Sequence, residues 1–490
     1  MKRIACWLVG LAMLLLAGAA QPLGAGDPGA LPLRAAPAMA GGPVRPNIVL
    51  ILADDLDDMD LRAFPNIHAQ LVRQGATFDR YFVTNPWCCP SRSTILRSQY
   101  VHSHQVLTNT GPEGGFVRFY EQGLERSTIG SWMQASGYRT ALMGKYLNHF
   151  PGEAVPKTYV PPGWDEWYVP VRRLYQEFDY TLNENGTLRE YGSEPEDYLA
   201  DVLSAKAQAF VKGRSPFFLY LAPIAPHRPA NPAPRHEDAF EDAQAPRPPS
   251  FDQPDVTREP LWLRSLPRIG ERAAEDIDEL YQERLRAMLG VDDMVGALVE
   301  ALRASGRLQD TYIFFTSDNG FHLGQHRLTR GKTSPYEESI KVPLIVRGPG
   351  VRPGSRVPGL AASVDLGPTF TDLAGVATPG FVEGRSLVPL LAGRTPDRWR
   401  TGVLVEFYRP GGWVPTRASP VPPYTALRTT SHTYVEYSTG EQQLFDLTAD
   451  PHQLRNIVSE APPEFLDRLR SQMRALSQCS GASCRVADGQ

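Results

Sequence analysis

Cysteine is scarce, five in 490 residues, which excludes a fold stapled by many disulfides. Charge of one sign is scarce too. The formal net charge is -4, and with no basic patch or tail the chain has nothing suited to nucleic acid, while no acidic run is long enough for a disordered tail. Long apolar runs are absent after the first twenty residues, so no later segment is long enough to span a bilayer. No internal repeat is visible. Hydrophobic residues at 42 % and charged residues at 21 % describe a globular chain and little more.

The start of the chain differs from the rest. Met1-Lys2-Arg3 is basic, Ile4 to Ala20 is almost wholly apolar, and Ala17-Gly18-Ala19 supplies the small residues at which a signal peptidase cuts. Residues 1–20 read as an export signal, with a later cut after Ala38-Met39-Ala40 as the alternative and an uncleaved signal anchor as the rival. Residues 21–45, rich in Ala, Gly and Pro and without periodicity, read as a disordered linker. The mature chain is then expected outside the cytoplasm, secreted or periplasmic, with no membrane attachment. In an oxidising compartment Cys479 and Cys484 can close the loop CSGASC, which leaves Cys88 and Cys89 without partners. The other arrangement that the count allows is two crossed bridges between the two ends.

Proline is common, 45 residues, and clusters from Pro223 to Pro260, read as a long loop, and from Pro410 to Pro423, read as a boundary or insertion. Between the loops the apolar segments alternate in type. Asn47 to Ala53 is a continuous branched run, and similar runs recur at Tyr138 to Met143, Phe217 to Ala222, Tyr312 to Thr316 and Val342 to Val346. From Ile277 to Arg303 the apolar residues recur every three to four positions, a helix. Strands alternating with helices predict an α/β fold, a large mixed, mainly parallel sheet with helices on both faces.

Three of these strands run into polar clusters: LILADD at Asp54-Asp55, LAPIAPHRP at His227, and FFTSDNG at Asp318-Asn319. In open α/β sheets ligands lie beyond the carboxyl ends of strands, so the clusters can converge. Asp54, Asp55, Asp318 and Asn319 offer only oxygen ligands, which suits Ca²⁺ or Mg²⁺ and not structural zinc. Taken singly, a double Asp after a strand is often a helix cap and Ser-Asp-Asn-Gly a turn. Together these acids are expected to need a compensating cation.

The stretch Cys88-Cys89-Pro90-Ser91-Arg92 resembles the C-x-P-S-R signature of the sulfatase family, in which the first cysteine is oxidised to formylglycine. NIVLILADDLD, Gly144-Lys145-Tyr146, PHRP at Pro226 to Pro229, SDNGFHLGQH and GKTSPYEESIKVPLIVRGPG occur in the family's order. LFDLTADPHQLRN is similar to its small C-terminal subdomain. CCPSR, GKYLN and KVPLIVRGPG most resemble the group that includes N-acetylglucosamine-6-sulfatases. The resemblance implies a catalytic domain over residues 46–400, a C-terminal subdomain with an antiparallel sheet over 401–478 and a tail over 479–490.

It also implies roles. Cys88, converted by a formylglycine-generating enzyme, is the nucleophile and a metal ligand beside Asp54, Asp55, Asp318 and Asn319. These hold one divalent cation, Ca²⁺ first and Mg²⁺ as the alternative. A hydrated formylglycine has two hydroxyls, one to attack sulfur and one to expel sulfate afterwards. Arg92 and Lys145 are expected to hold the diol and the sulfate, Lys332 and His227 to bind sulfate and protonate the leaving alcohol, and His322 to act on the same oxygen. Two departures stand out. The signature continues Leu96-Arg97-Ser98 where many sulfatases have Leu-Thr-Gly, and Leu147 stands where many have a His, leaving Asn148 or His149 as substitutes. The expected substrate is a sulfated carbohydrate of the 6-O-sulfated hexosamine type. The alternatives are an arylsulfatase acting on aryl sulfates, a phosphoester or phosphonate monoester hydrolase of the alkaline phosphatase superfamily, and a non-catalytic carbohydrate-binding protein should Cys88 stay unconverted.

Overall fold

The computed structural model describes residues 45–409 and 420–489. The expected export signal, nearly all of the expected linker and most of the second proline cluster lie outside the described residues. Ten strands form one sheet: β1 (Asn47–Ala53), β2 (Ala76–Phe82), β3 (Arg139–Gly144), β4 (Glu166–Arg172), β5 (Thr181–Glu184), β6 (Thr187–Glu190), β7 (Phe217–Ala222), β8 (Thr311–Ser317), β9 (Leu344–Arg347) and β10 (Ser355–Ala362). Their order is β10-β2-β9-β8-β1-β7-β3-β4-β5-β6. The run from β8 through β1, β7 and β3 to β4 is parallel throughout, whereas β9 and the β4-β5-β6 edge pair antiparallel. The sheet is therefore mixed and parallel at its centre, as expected.

The unbroken apolar run of β1 has a direct cause. Successive side chains of a strand point to opposite faces, and here both faces are covered. Ile48, Leu50 and Leu52 join one core with the helices Cys88–Arg97 and Leu366–Ala374. Val49, Ile51 and Ala53 join the other with Leu199–Val211 and the long helix Glu271–Ala304. The periodic segment seen in the sequence is the apolar stripe of that long helix. The proline-rich stretch after β7 is a long connection that carries one short turn of helix, Pro234–His236, before Leu261.

Four more strands, β11 (Gly402–Phe407), β12 (Tyr424–Thr429), β13 (His432–Tyr437) and β14 (Gln442–Asp446), form a separate antiparallel sheet in sequence order. The second proline cluster thus falls between β11 and β12. Cys479 and Cys484 form the disulfide, and Cys88 and Cys89 are free thiols. Fully buried Arg400 pairs with Asp365 at 2.6 Å and Asp488 at 3.2 Å. The small sheet is also joined to the turn after the CCPSR helix, since His102 Nδ1 lies 2.9 Å from Glu406 Oε2 on β11.

Burial pulls the His102 pKa down, but the hydrogen bond and charge of Glu406, with the Cys479 carbonyl, more than reverse this and bring it to about 9. A folded-state pKa raised above the unfolded value near 6.5 gives stability that is full below that value and is lost as pH rises through about 9. Melting followed across this range is expected to show wild type losing on the order of 1–3 kcal/mol relative to His102→Gln. Parallel profiles for the two proteins would contradict the assignment.

Candidate active site

The site lies where neighbouring parallel strands end. β8, β1, β7 and β3 are adjacent in that order, and the chain leaves them at Asp318-Asn319, Asp54-Asp55, the turn to His227, and Lys145. Strand order, more than distance along the chain, brings these residues together. Ser317 Oγ locks two of the ends, accepting the Leu56 N–H at 2.9 Å and donating to the Asn319 carbonyl at 2.9 Å. At the end of β3, Gly144 has φ +99°, and a Cβ there would lie 2.0 Å from the Ala222 carbonyl oxygen. Only glycine lets the chain turn Lys145 inward at that point.

Cys88 opens the helix Cys88–Arg97, so its side chain sits at a helix N-terminus, where the backbone favours negative charge. Its Sγ accepts from Lys332 Nζ at 2.8 Å and lies 3.6 Å from Asp54 Oδ1 and 3.9 Å from Asp55 Oδ1. Ligand atoms of Asp54, Asp55, Cys88 and His227 all lie within 4.8 Å of one another. Asp318 and Asn319 join through Asp55: its N–H donates to Asp318 Oδ1 at 3.2 Å, and Asn319 Nδ2 donates to its Oδ1 at 2.7 Å.

Three bases answer the three acids. Lys145 Nζ is 2.6 Å from Asp54 Oδ2, Arg92 Nε is 2.7 Å from Asp318 Oδ2, and Lys332 Nζ bonds Asp55 Oδ1. The carboxylates are thus paired by protein groups alone, and their mutual repulsion by itself does not demand a metal. A better sign of one is Asn319 Oδ1, a buried oxygen without a hydrogen-bond partner among the described residues. It stands with three carboxylates in an all-oxygen set that suits a hard divalent cation.

The electrostatics follow from this packing. Burial alone would raise the Asp54 pKa, but Lys145, His227, Arg92 and Lys332 outweigh it and hold it well below the carboxylate range. Burial, helped by Asp318 and Asp54, pushes the Cys88 thiol up to about 12 despite the two lysines. As a thiol, Cys88 is protonated and weakly nucleophilic. Burial also lowers the His227 pKa, against the charges of Asp55 and Asp54.

His227 Nδ1 bonds the Arg228 carbonyl at 2.6 Å, and Nε2 faces Asp55 Oδ2 at 3.7 Å. His322 is fully buried. Its Nε2 bonds Ser334 Oγ at 2.7 Å and its N–H bonds the Gly331 carbonyl at 2.7 Å, which ties it to the segment leading to Lys332. Leu147 belongs to the apolar core and His149 is exposed, while Asn148 Nδ2 donates to the Tyr175 hydroxyl at 3.1 Å.

Two residues at the site had no signal in the sequence. Tyr175 comes from a motif-free loop and stacks on His227, ring centroids 4.2 Å apart. Arg284, wholly buried on the long helix, donates to the Asp55 and Pro226 carbonyls at 2.8 and 3.2 Å and so fastens the ends of β1 and β7. A single Arg inside a helical stripe looks like any surface residue.

Buried acids, matched bases and a helix-terminal side chain at position 88, set at the carboxyl ends of a central parallel sheet, define a hydrolase of anionic esters with the alkaline phosphatase-like fold. The sulfatase family profile matches residues 46–376, and the C-terminal profile of N-sulphoglucosamine sulphohydrolase matches 324–478. The chain is 36 % identical over 481 residues to the N-acetylglucosamine-6-sulfatase of Capra hircus, covering 91 % of this chain and 86 % of that protein. A solved structure in complex with its substrate D-glucosamine-2-N,6-O-disulfate superposes with TM-score 0.74 at 23 % identity, covering 91 % and 99 % of the two chains. The phosphonate monoester hydrolase of Agrobacterium radiobacter does so with TM-score 0.68 at 23 % identity, covering 88 % and 96 %. The chain belongs to the sulfatase family and is a sulfuric ester hydrolase.

Removing one member of a buried ion pair leaves the other uncompensated. Asp318→Ala is therefore expected to cost about 3–5 kcal/mol in chemical denaturation, through the stranded Arg92. Asp318→Ala denaturing at the wild-type midpoint would contradict the pairing.

Proposed function

We propose that the chain hydrolyses sulfate esters of carbohydrates, of the 6-O-sulfated hexosamine type, through a formylglycine at position 88 and a divalent cation. The observation that carries this reading is the Cys88 side chain, fixed at a helix N-terminus among Asp54, Asp55 and Lys332. The similarity to the Capra hircus N-acetylglucosamine-6-sulfatase supports the substrate class.

Asp54, Asp55, Asp318 and Asn319, with the side chain at position 88, would hold the cation, Ca²⁺ in preference to Mg²⁺ because a set rich in carboxylate oxygens suits the larger ion. Such a cation supplies Lewis acidity toward the nucleophile and the sulfate oxygens. A hydrated formylglycine supplies one hydroxyl for attack on sulfur and a second for release of sulfate. The protein's own groups do the rest. Lys145 keeps Asp54 charged, and Arg92, 2.7 Å from Asp318, opposes the upward push that burial and Asp54 give that carboxyl; both pairings fix the donor oxygens. Lys332, 2.8 Å from the position-88 sulfur, orients that side chain and offers N–H groups to the ester's anionic oxygens. His227, with Nδ1 held by a carbonyl, carries at Nε2 the proton that the departing sugar oxygen takes. His322 and Lys332 are the other candidates for that donation.

Among the described residues no helix is long and apolar enough to cross a membrane. We further propose that the chain is exported, which the apolar start of the sequence and the Cys479–Cys484 disulfide support. Maturation would then require a formylglycine-generating enzyme as partner. We place the catalytic domain at residues 46–400 and the small subdomain at 401–478, followed by the tail.

The test compares a sugar 6-sulfate with nitrophenyl sulfate and nitrophenyl phosphate, before and after chelation and re-addition of Ca²⁺ or Mg²⁺. Activity should vanish on chelation and return with the ion. An alkoxide leaves poorly and needs a proton, whereas nitrophenolate does not. His227→Ala should therefore lose about 10²-fold or more on the sugar sulfate and far less on the nitrophenyl sulfate. Equal losses would assign His227 to sulfate binding, and faster turnover of the phosphate would favour the phosphoesterase reading.

A further inference from the structure

Tyr175 lies in a stretch whose backbone is costly to hold. Three of the seven residues from Arg173 to Asp179 are non-glycine with positive φ: Arg173 at 53°, Glu177 at 61° and Asp179 at 52°. Each costs on the order of 1 kcal/mol and persists only where the surroundings over-determine it. Asn231 Nδ2 donates to the Gln176 carbonyl at 2.9 Å, Leu199 N–H to the Glu177 carbonyl at 2.9 Å, and Asp179 N–H to the Gly192 carbonyl at 2.8 Å. The buried Glu177 carboxyl, which burial pushes up to about 8, accepts the Ala200 N–H at the start of the helix Leu199–Val211.

What this pinning fixes is the place of one ring. Tyr175 lies 19° from parallel with the His227 imidazole at 4.2 Å, and Lys145 Nζ is 5.1 Å from the Tyr175 ring centroid. Its hydroxyl accepts from Asn148 Nδ2 at 3.1 Å. Tyr175 also packs against the apolar core beneath the long helix, but its ring meets an ammonium and an imidazole and its hydroxyl an amide. The Nδ1 bond to the Arg228 carbonyl fixes one end of the imidazole, and Nε2 has only the longer 3.7 Å contact to Asp55 Oδ2. The stacked ring limits rotation of the imidazole about the Nδ1 bond.

We propose that Tyr175, through its ring, is the positioning residue of His227. The stack keeps Nε2 turned toward the reacting sulfate ester. This rests on His227 being the proton donor, and the test separates the two claims. The readout is the ratio of kcat/KM for a sugar 6-sulfate to that for nitrophenyl sulfate. Tyr175→Ala should lower the ratio between about tenfold and a hundredfold, as misplacement of a catalytic group does. Tyr175→Phe, which keeps the ring and loses the Asn148 bond, should restore most of it. On a His227→Ala background, Tyr175→Ala should change the ratio less than about twofold, because groups acting as one unit are not additive. Tyr175→Leu serves if the alanine variant does not fold. If His227→Ala lowers the ratio and Tyr175→Ala and Tyr175→Leu do not, or if the losses multiply in the double variant, the positioning role is overturned. A His227→Ala variant that leaves the ratio unchanged overturns both claims.

Discussion

Asp54, Asp55 and Asp318 are buried charges, and much of the fold around them serves to keep them charged. Removing a carboxylate from water costs several kcal/mol unless it is paired and hydrogen-bonded. Each pairing uses a different part of the chain. Lys145 comes from the end of β3, Arg92 from the second turn of the helix that Cys88 opens, and Lys332 from the loop before β9. The chain can satisfy all three only with β8, β1, β7 and β3 side by side and that helix laid over their ends. Once His227 has given up its proton, three acids and three bases sum to zero. A divalent cation would bring the site to +2, equal and opposite to the sulfate it releases.

A net charge of this kind explains why so many groups at the site do not touch the reaction. Arg284 holds the carbonyls of Asp55 and Pro226, Ser317 clamps the ends of β1 and β8, and the stretch from Arg173 to Asp179 is kept in place at conformational cost. Electrostatic sites work when their dipoles need not reorganise during the reaction. Rigidity is thus built in from the helix, the strands and the loop separately. The small sheet takes part through His102 and Glu406, which brace the turn directly after the CCPSR helix.

The fold was legible because the central strands are covered on both faces. Continuous apolar runs such as Asn47 to Ala53 therefore marked β1, β7 and β8, and polar clusters just past them marked the strand ends. The strands β5 and β6 at one end of the sheet are only four residues each, and β6 at the edge is exposed throughout, so they left no such trace. Cys88, the acids, Lys145 and His227 could be read because each sits in a motif at a strand end or helix start. Tyr175 could not, since what recruits it is backbone conformation and a stack with a residue 52 positions away. The expectation that the acids need a cation for compensation was too simple, because sequence distance hides the pairings of Arg92, Lys145 and Lys332. The disulfide was readable from the five-residue separation of Cys479 and Cys484, which left Cys88 and Cys89 free.

The central claim is that position 88 is placed for a nucleophile other than a thiol. The most direct measurement is the mass of the tryptic peptide from Tyr81 to Arg92, taken from protein that turns over a sulfate ester. The expected peptide is one in which residue 88 has exchanged H₂S for oxygen while Cys89 remains a thiol, in proportion to specific activity across preparations. A fully active preparation in which Cys88 is intact, or bound in a disulfide, would contradict it.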